Sequence, residues 1–213
     1  MPDQKLLDLI NSVPAEIKEL IEQRLTEFRL FKLKSDQEWF SELCFCLLTA
    51  NSRAKTAIEI QNKLGFHGFA FIPEERLAIL IKEHKHRFHN NKAKYIVNAR
   101  KFLAIKKQIQ AIVDNNGTEK AREWLVNNVK GLGYKEASHF LRNTGHEDVS
   151  ILDRHILRLL KEHDFIEQVP KSLNAKRYIQ IESVFNKIAF LTDMTPAKLD
   201  LYMWYLKTNE VLK

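Results

Sequence analysis

Two residues in this chain have types and settings that could do chemistry. Lys135, in the stretch KGLGYKEASHFL (130–141), opens an expected helix directly behind two closely spaced glycines. The helix macrodipole places roughly +0.5 charge at that end, which favours a neutral amine over an ammonium, and the basic group of Lys130 acts in the same sense. A neutral lysine is a nucleophile. Asp153, in SILDRHILRLL (150–160), immediately precedes an apolar-periodic helix, so its carboxylate is expected to accept the first backbone amides of that helix. A nucleophilic amine and a fixed anion are what attack at a sugar C1′ needs, the anion steadying the oxocarbenium charge that develops. Each residue also has a plainer reading, Lys135 as a solvated surface side chain and Asp153 as an ordinary N-cap.

The elements that must position them are helices. An expected helix Glu119–Val129 behind Thr118, the turn Lys130-Gly131-Leu132-Gly133 and a helix Tyr134–Arg142 ended by Gly145 make a helix-hairpin-helix. Gly131 and Gly133 permit positive φ and close approach of the backbone to a ligand. With the amides of the following helical turn and Lys130 beside it, such a loop suits a DNA phosphate. An ordinary tight turn between helices is the alternative and needs no ligand.

The rest of the chain reads the same way. Six Gly and five Pro in 213 residues, with apolar positions recurring at i, i+3 and i+4, predict an all-α protein. The first helix is expected after Ser12 with Pro14 in its first turn. The second follows a Ser35/Glu38 capping box and runs through the apolar stretch Trp39–Leu48. Further helices are expected at Arg53–Leu64 with Gly65 as stop, Glu74–Glu83, Lys92 to about Val113, Arg154–Glu162, Ala175–Leu191 and, behind Thr195 and Pro196, Ala197–Lys207.

The excess of 34 Lys+Arg over 27 Asp+Glu, a net charge of +7, fits a protein that meets polyanions. Cys44 and Cys46 diverge around one helix, which disfavours a disulfide and points to a reducing setting. With neither a signal-peptide pattern nor an 18-residue apolar run, the expectation is a cytosolic protein without membrane contact. Two cysteines are too few for a structural zinc or iron–sulfur site. His84, His86 and His89 lack a carboxylate in register, so they are read as a basic loop touching phosphate or solvent, and no metal site is expected.

The pattern VKGLGYKEASHFLRNTGHEDVSILDRHILRLL (129–160) resembles the helix-hairpin-helix superfamily of DNA glycosylases, in which a Gly-x-Gly hairpin leads to an aspartate just before a later helix. Within it, ELCFCLLTANSRAK (42–55), HRFHNNKAKYIVNAR (86–100), KEASHFLRNTG and LDLYMWYL are similar to the compact second type of 8-oxoguanine DNA glycosylase/lyase. The resemblance implies two helical domains, one from residues 1–34 and 151–213 and a central one from 35–150 carrying the hairpin, with the active site in the cleft between them. It implies Lys135 as the Schiff-base nucleophile and Asp153 as the carboxylate that orients it, assists proton transfer and steadies the sugar cation.

By the same resemblance Asn51 inserts into the space vacated by a flipped base, although it also reads as a helix-ending residue. Lys213 with its terminal carboxylate distinguishes 8-oxoguanine from guanine, since only the lesion carries an N7–H donor; a frayed terminus is the plainer reading. Trp204 is placed to stack on the flipped base, or to lie in the core. His155 contacts DNA or covers its helix start. The expected partner is double-stranded DNA containing 8-oxoguanine, met by a monomer that needs no organic cofactor, with a monovalent ion at the hairpin carbonyls compatible with the motif. The alternatives are the same chemistry on oxidised pyrimidines, or a non-catalytic DNA-binding module, for which Lys135 and Asp153 would have no use.

Overall fold

The computed structural model describes residues 4–213, and the regular elements among them are all helical. In chain order they are α1 (Gln4–Asn11), α2 (Ala15–Phe31), α3 (Asp36–Thr49), α4 (Ala54–Phe71), α5 (Glu74–Glu83), α6 (His89–Ala99), α7 (Ile105–Asn116), α8 (Thr118–Asn128), α9 (Tyr134–Asn143), α10 (Arg154–Glu162), α11 (Ala175–Leu191) and α12 (Pro196–Thr208). They fall into two compact units. One comprises the chain up to Phe31 together with Gly145–Lys213, and the other is Lys32–Thr144. The switches therefore come slightly earlier than the expected edges at Ser35 and Ile151.

The second unit is built around α3. Ser35 accepts the Glu38 amide while Glu38 accepts the Ser35 amide, so the capping box forms and fixes where the helix starts. From Trp39 to Thr49 nearly every side chain is buried, with α4, α6, α7 and α9 packed around it. Trp39, Phe40 and Phe45 are fully buried, each worth about 1.5–3 kcal/mol of transfer free energy. Trp39 meets Phe140 of α9 edge to face, with ring centroids 5.8 Å apart. Glu42, buried on α3, accepts from Asn143 of α9 at 2.6 Å and from Gln61 of α4 at 3.1 Å, so these three polar side chains are paired with one another.

In the first unit α12 takes the central place, packed by α1, α2, α10 and α11. Its start follows the sequence expectation: Thr195 accepts the Lys198 amide, and Pro196 holds the first helical position. Ion pairs Lys198–Glu22 and Lys207–Glu162 join α12 to α2 and α10.

Four features differ from the sequence expectation. Helix α1 was not expected; its buried face is only Leu6 and Ile10, one turn apart and too short a stripe to stand out. The expected helix from Lys92 to about Val113 is broken into α6, a 3₁₀ turn at Arg100–Phe102, and α7. No glycine or proline marks that break. Arg100 instead turns its guanidinium onto the Phe69 and Ile72 carbonyls at the end of α4, a long-range contact with no local signature. Thr118 is the first residue of α8 rather than its cap, a place taken by Gly117 at φ 84°. Gly65 interrupts its helix as expected, at φ 54° and ψ −165°, but helical turns resume to Phe71.

Candidate active site

The hairpin between α8 and α9 is pinned by apolar side chains. Val129 and Leu132 are buried, and the Leu132 amide donates to the Val129 carbonyl at 3.1 Å, closing the turn. The two glycines have different reasons to be there. Gly131 sits at φ +92°, and a Cβ at that position would run into the ring of Tyr95. Gly133 has φ −96° and ψ −178°, extended backbone that any residue adopts. The expectation that both glycines supply positive φ is thus corrected: only Gly131 does. Lys130 is exposed beside the turn, in keeping with a group able to meet solvent or a phosphate.

Gly133 has no side chain to cap α9, and Glu136 does so from within the helix, its Oε2 accepting the Gly133 amide at 3.3 Å. Lys135 is the second residue of α9. Its side chain is 25% exposed, and its Nζ lies 3.7 Å from Glu136 Oε1. The positive end of the helix therefore carries an anion as well as a cation.

Lys92 is a third charged group here, and nothing in its local sequence singles it out. It is 4% exposed, and its Nζ donates to the Leu47 carbonyl at 2.6 Å, near the end of α3. Burial pushes this amine down to about 8; Glu136 opposes the shift and the like charge of Lys135 adds to it. The next carbonyl, Leu48, meets His86 Nε2 at 2.9 Å, while His86 Nδ1 accepts the Phe88 amide at 3.2 Å. That pattern assigns a neutral imidazole with its proton on Nε2, and burial lowers its proton affinity as well. His86 is therefore not part of a solvent-facing basic loop. It and Lys92 instead satisfy carbonyls left open where α3 ends.

Asn51 follows that helix end at φ 59°, exposed, a left-handed conformation that Asn tolerates. It borders a cleft of about 590 Å³ whose lining includes Arg53, Lys85 and Arg87 but also Glu59 and Glu83.

The remaining sequence-selected residues lie in the other unit. Asp153 caps α10: Oδ1 accepts both the His155 amide at 2.8 Å and the Ile156 amide at 2.9 Å. The segment leading to it is fixed by α11. Tyr178 Oη donates to the Ser150 carbonyl at 2.6 Å and accepts the Leu152 amide at 3.3 Å, and Ser150 Oγ lies 2.8 Å from Asn186 Oδ1. The His155 ring meets Trp204 edge to face at 4.9 Å. Trp204 is only half-buried although Leu201, Tyr202 and Met203 before it are buried, and its indole N–H is enclosed without a hydrogen-bond partner. Asn209, at φ 55°, ends α12 and turns the chain; Val211, Leu212 and Lys213 are half-buried.

Among the described residues no group of three or more His, Cys, Asp or Glu is arranged to hold a metal ion. No helix among them is long and apolar enough to cross a membrane.

Comparison with known proteins gives a consistent result. A family model described as 8-oxoguanine DNA glycosylase matches residues 21–194. The 8-oxoguanine DNA glycosylase/AP lyase of Methanocaldococcus jannaschii is 49% identical over 211 residues, covering 99% of this chain and 98% of that protein. The crystal structure of the M. jannaschii 8-oxoguanine glycosylase/lyase in complex with 15mer DNA containing 8-oxoguanine matches with a TM-score of 0.91 at 47% identity, covering 99% of this chain and 98% of that one. The structure of the 8-oxoguanine DNA glycosylase of Thermotoga maritima matches with a TM-score of 0.92 at 42% identity, covering 99% of each chain.

Proposed function

The chain belongs to the 8-oxoguanine DNA glycosylase family, and on that premise we propose that it is a bifunctional repair enzyme that excises 8-oxoguanine from duplex DNA and then nicks the abasic strand. The likeness along almost the whole of both chains supports this reading, since it takes in both helical units rather than a hairpin alone.

In this reading Lys135 Nζ forms the new bond at C1′ while the glycosidic bond breaks and its electron pair leaves with the base, which takes up a proton. Asp153, its Oδ1 engaged by two amides, supplies the anion that steadies the cationic sugar and assists proton transfer. Opening of the sugar ring leaves an imine on Lys135. Loss of a C2′ proton then expels the 3′ phosphate by β-elimination, and hydrolysis of the imine frees the lysine. No organic cofactor enters these steps. Lys130, Gly131 and Gly133 hold a backbone phosphate, and Asn51 fills the space left by the extruded base. His155 supports DNA contact beside Trp204, which stacks on the lesion, and Lys213 takes part in telling it from guanine.

The test is a duplex carrying one 8-oxoguanine, compared with unmodified and oxidised-pyrimidine duplexes. Release of free 8-oxoguanine with a strand break at the lesion is the expected outcome. Tight binding without release, or equal release of oxidised pyrimidines, contradicts it.

A further inference from the structure

Glu136 is the carboxylate beside Lys135, and its two oxygens are divided between two tasks. Oε2 accepts the Gly133 amide at 3.3 Å, and Oε1 lies 3.7 Å from Lys135 Nζ. The first contact ties the carboxylate to the hairpin. An anion is also favoured in the first turn of a helix, where the dipole stabilises it, so Glu136 is held by position as well as by hydrogen bonding.

Adjacent residues on a helix point in divergent directions and ordinarily do not face one another. The approach of the Lys135 and Glu136 side-chain ends is therefore a specific arrangement, not a by-product of spacing. Both are largely enclosed, with 25% and 14% of their side-chain surface exposed. A lysine has a flexible four-carbon stem carrying about 2 kcal/mol of rotamer entropy, and a nucleophile is effective only when its attacking atom is held about 3–3.5 Å from its target. Something must limit where the Lys135 amine can go. Lys92 cannot attract it, being a like charge engaged at the Leu47 carbonyl. Glu136 can.

We propose that Glu136 is a positioning residue for the Lys135 amine, and that by holding the Gly133 amide with its other oxygen it ties the place of the nucleophile to the geometry of the hairpin turn. This rests on the reading of Lys135 as the nucleophile. Glu136 acts through Lys135 and need not touch the substrate.

The experiment compares wild type with Glu136→Gln, which keeps a carbonyl oxygen for the Gly133 amide and removes the charge, and with Glu136→Asp, which keeps the charge on a shorter arm. Single-turnover base release, affinity for 8-oxoguanine duplex and melting temperature are measured for each. Glu136→Gln should lose about tenfold or more in single-turnover rate with affinity and melting temperature as in wild type, and Glu136→Asp should fall between the two. An unchanged rate in Glu136→Gln overturns the proposal, as does a rate loss that merely follows lower affinity or lower melting temperature. Lys135→Gln run alongside separates the two possible failures: if it is inactive while Glu136→Gln is normal, only the role of Glu136 falls, whereas normal turnover in both removes the nucleophile assignment itself.

Discussion

The starts of α9 and α10 solve one problem in two ways. Each helix begins with backbone amides that need acceptors. At α10 the residue before the helix does the work, Asp153 taking two amides on a single oxygen. At α9 the residue before the helix is Gly133, which has no side chain, and the acceptor comes from Glu136 inside the first turn. The difference leaves room at α9 for a cation. With its cap supplied from within the helix and its turn made close-fitting by Gly131, α9 carries Lys135 at its second position next to the anion that offsets the dipole. The same physics thus yields a fixed anion at one helix start and a held amine at the other.

The comparison is broken most severely by removing the amine. Lys135→Gln should lower single-turnover release of 8-oxoguanine by about 10³-fold or more while duplex binding is kept. At the other helix start, Asp153→Asn retains an oxygen for the cap, so stability should change little, but the anion is gone and base release should slow by about 10²-fold. A rate loss matched by a fall in melting temperature would reduce Asp153 to a cap. The two glycines sharpen the contrast further. Gly131→Ala meets both positive φ and the Tyr95 ring and should cost about 1–3 kcal/mol in urea unfolding, whereas Gly133→Ala should cost less than about 1 kcal/mol. Equal costs would show that the turn does not distinguish them.

A further effect, on stability against pH, concerns Lys92. Its amine is lowered from the ordinary 10.5 to about 8, so between those values the unfolded chain binds a proton that the native protein has released. Stability from this group is therefore lowest below about pH 8 and rises as pH increases towards 10.5. Relative to Lys92→Met, wild type should gain about 2 kcal/mol between pH 8 and 10 in denaturant unfolding. A constant difference across that window would mean that Lys92 titrates normally.

Much of this was legible in the sequence, and what was not follows a pattern. Ser35 with Glu38, Asp153 and Thr195 with Pro196 announce helix starts because capping is local, and each lies at the helix start it foretells. The break after Ala99 was not legible, because Arg100 is held by carbonyls about 30 residues earlier in the chain. Lys92 and His86 were hidden for the same reason: each looks like one more basic residue until the end of α3 is placed beside it. Glu136 was visible as a residue, but its division between an amide and an amine is a matter of side-chain geometry. The hairpin glycines looked equivalent and are not, because φ at Gly131 is set by the fold of the turn and by Tyr95.

Mapping the covalent link shows which residue attacks the sugar. Wild-type protein is mixed with an 8-oxoguanine duplex, reduced with borohydride, digested, and the DNA-bearing peptide sequenced by mass spectrometry. The adduct is expected on Lys135. An adduct on Lys92 or any other residue, or base release with no trapped adduct, would contradict that assignment.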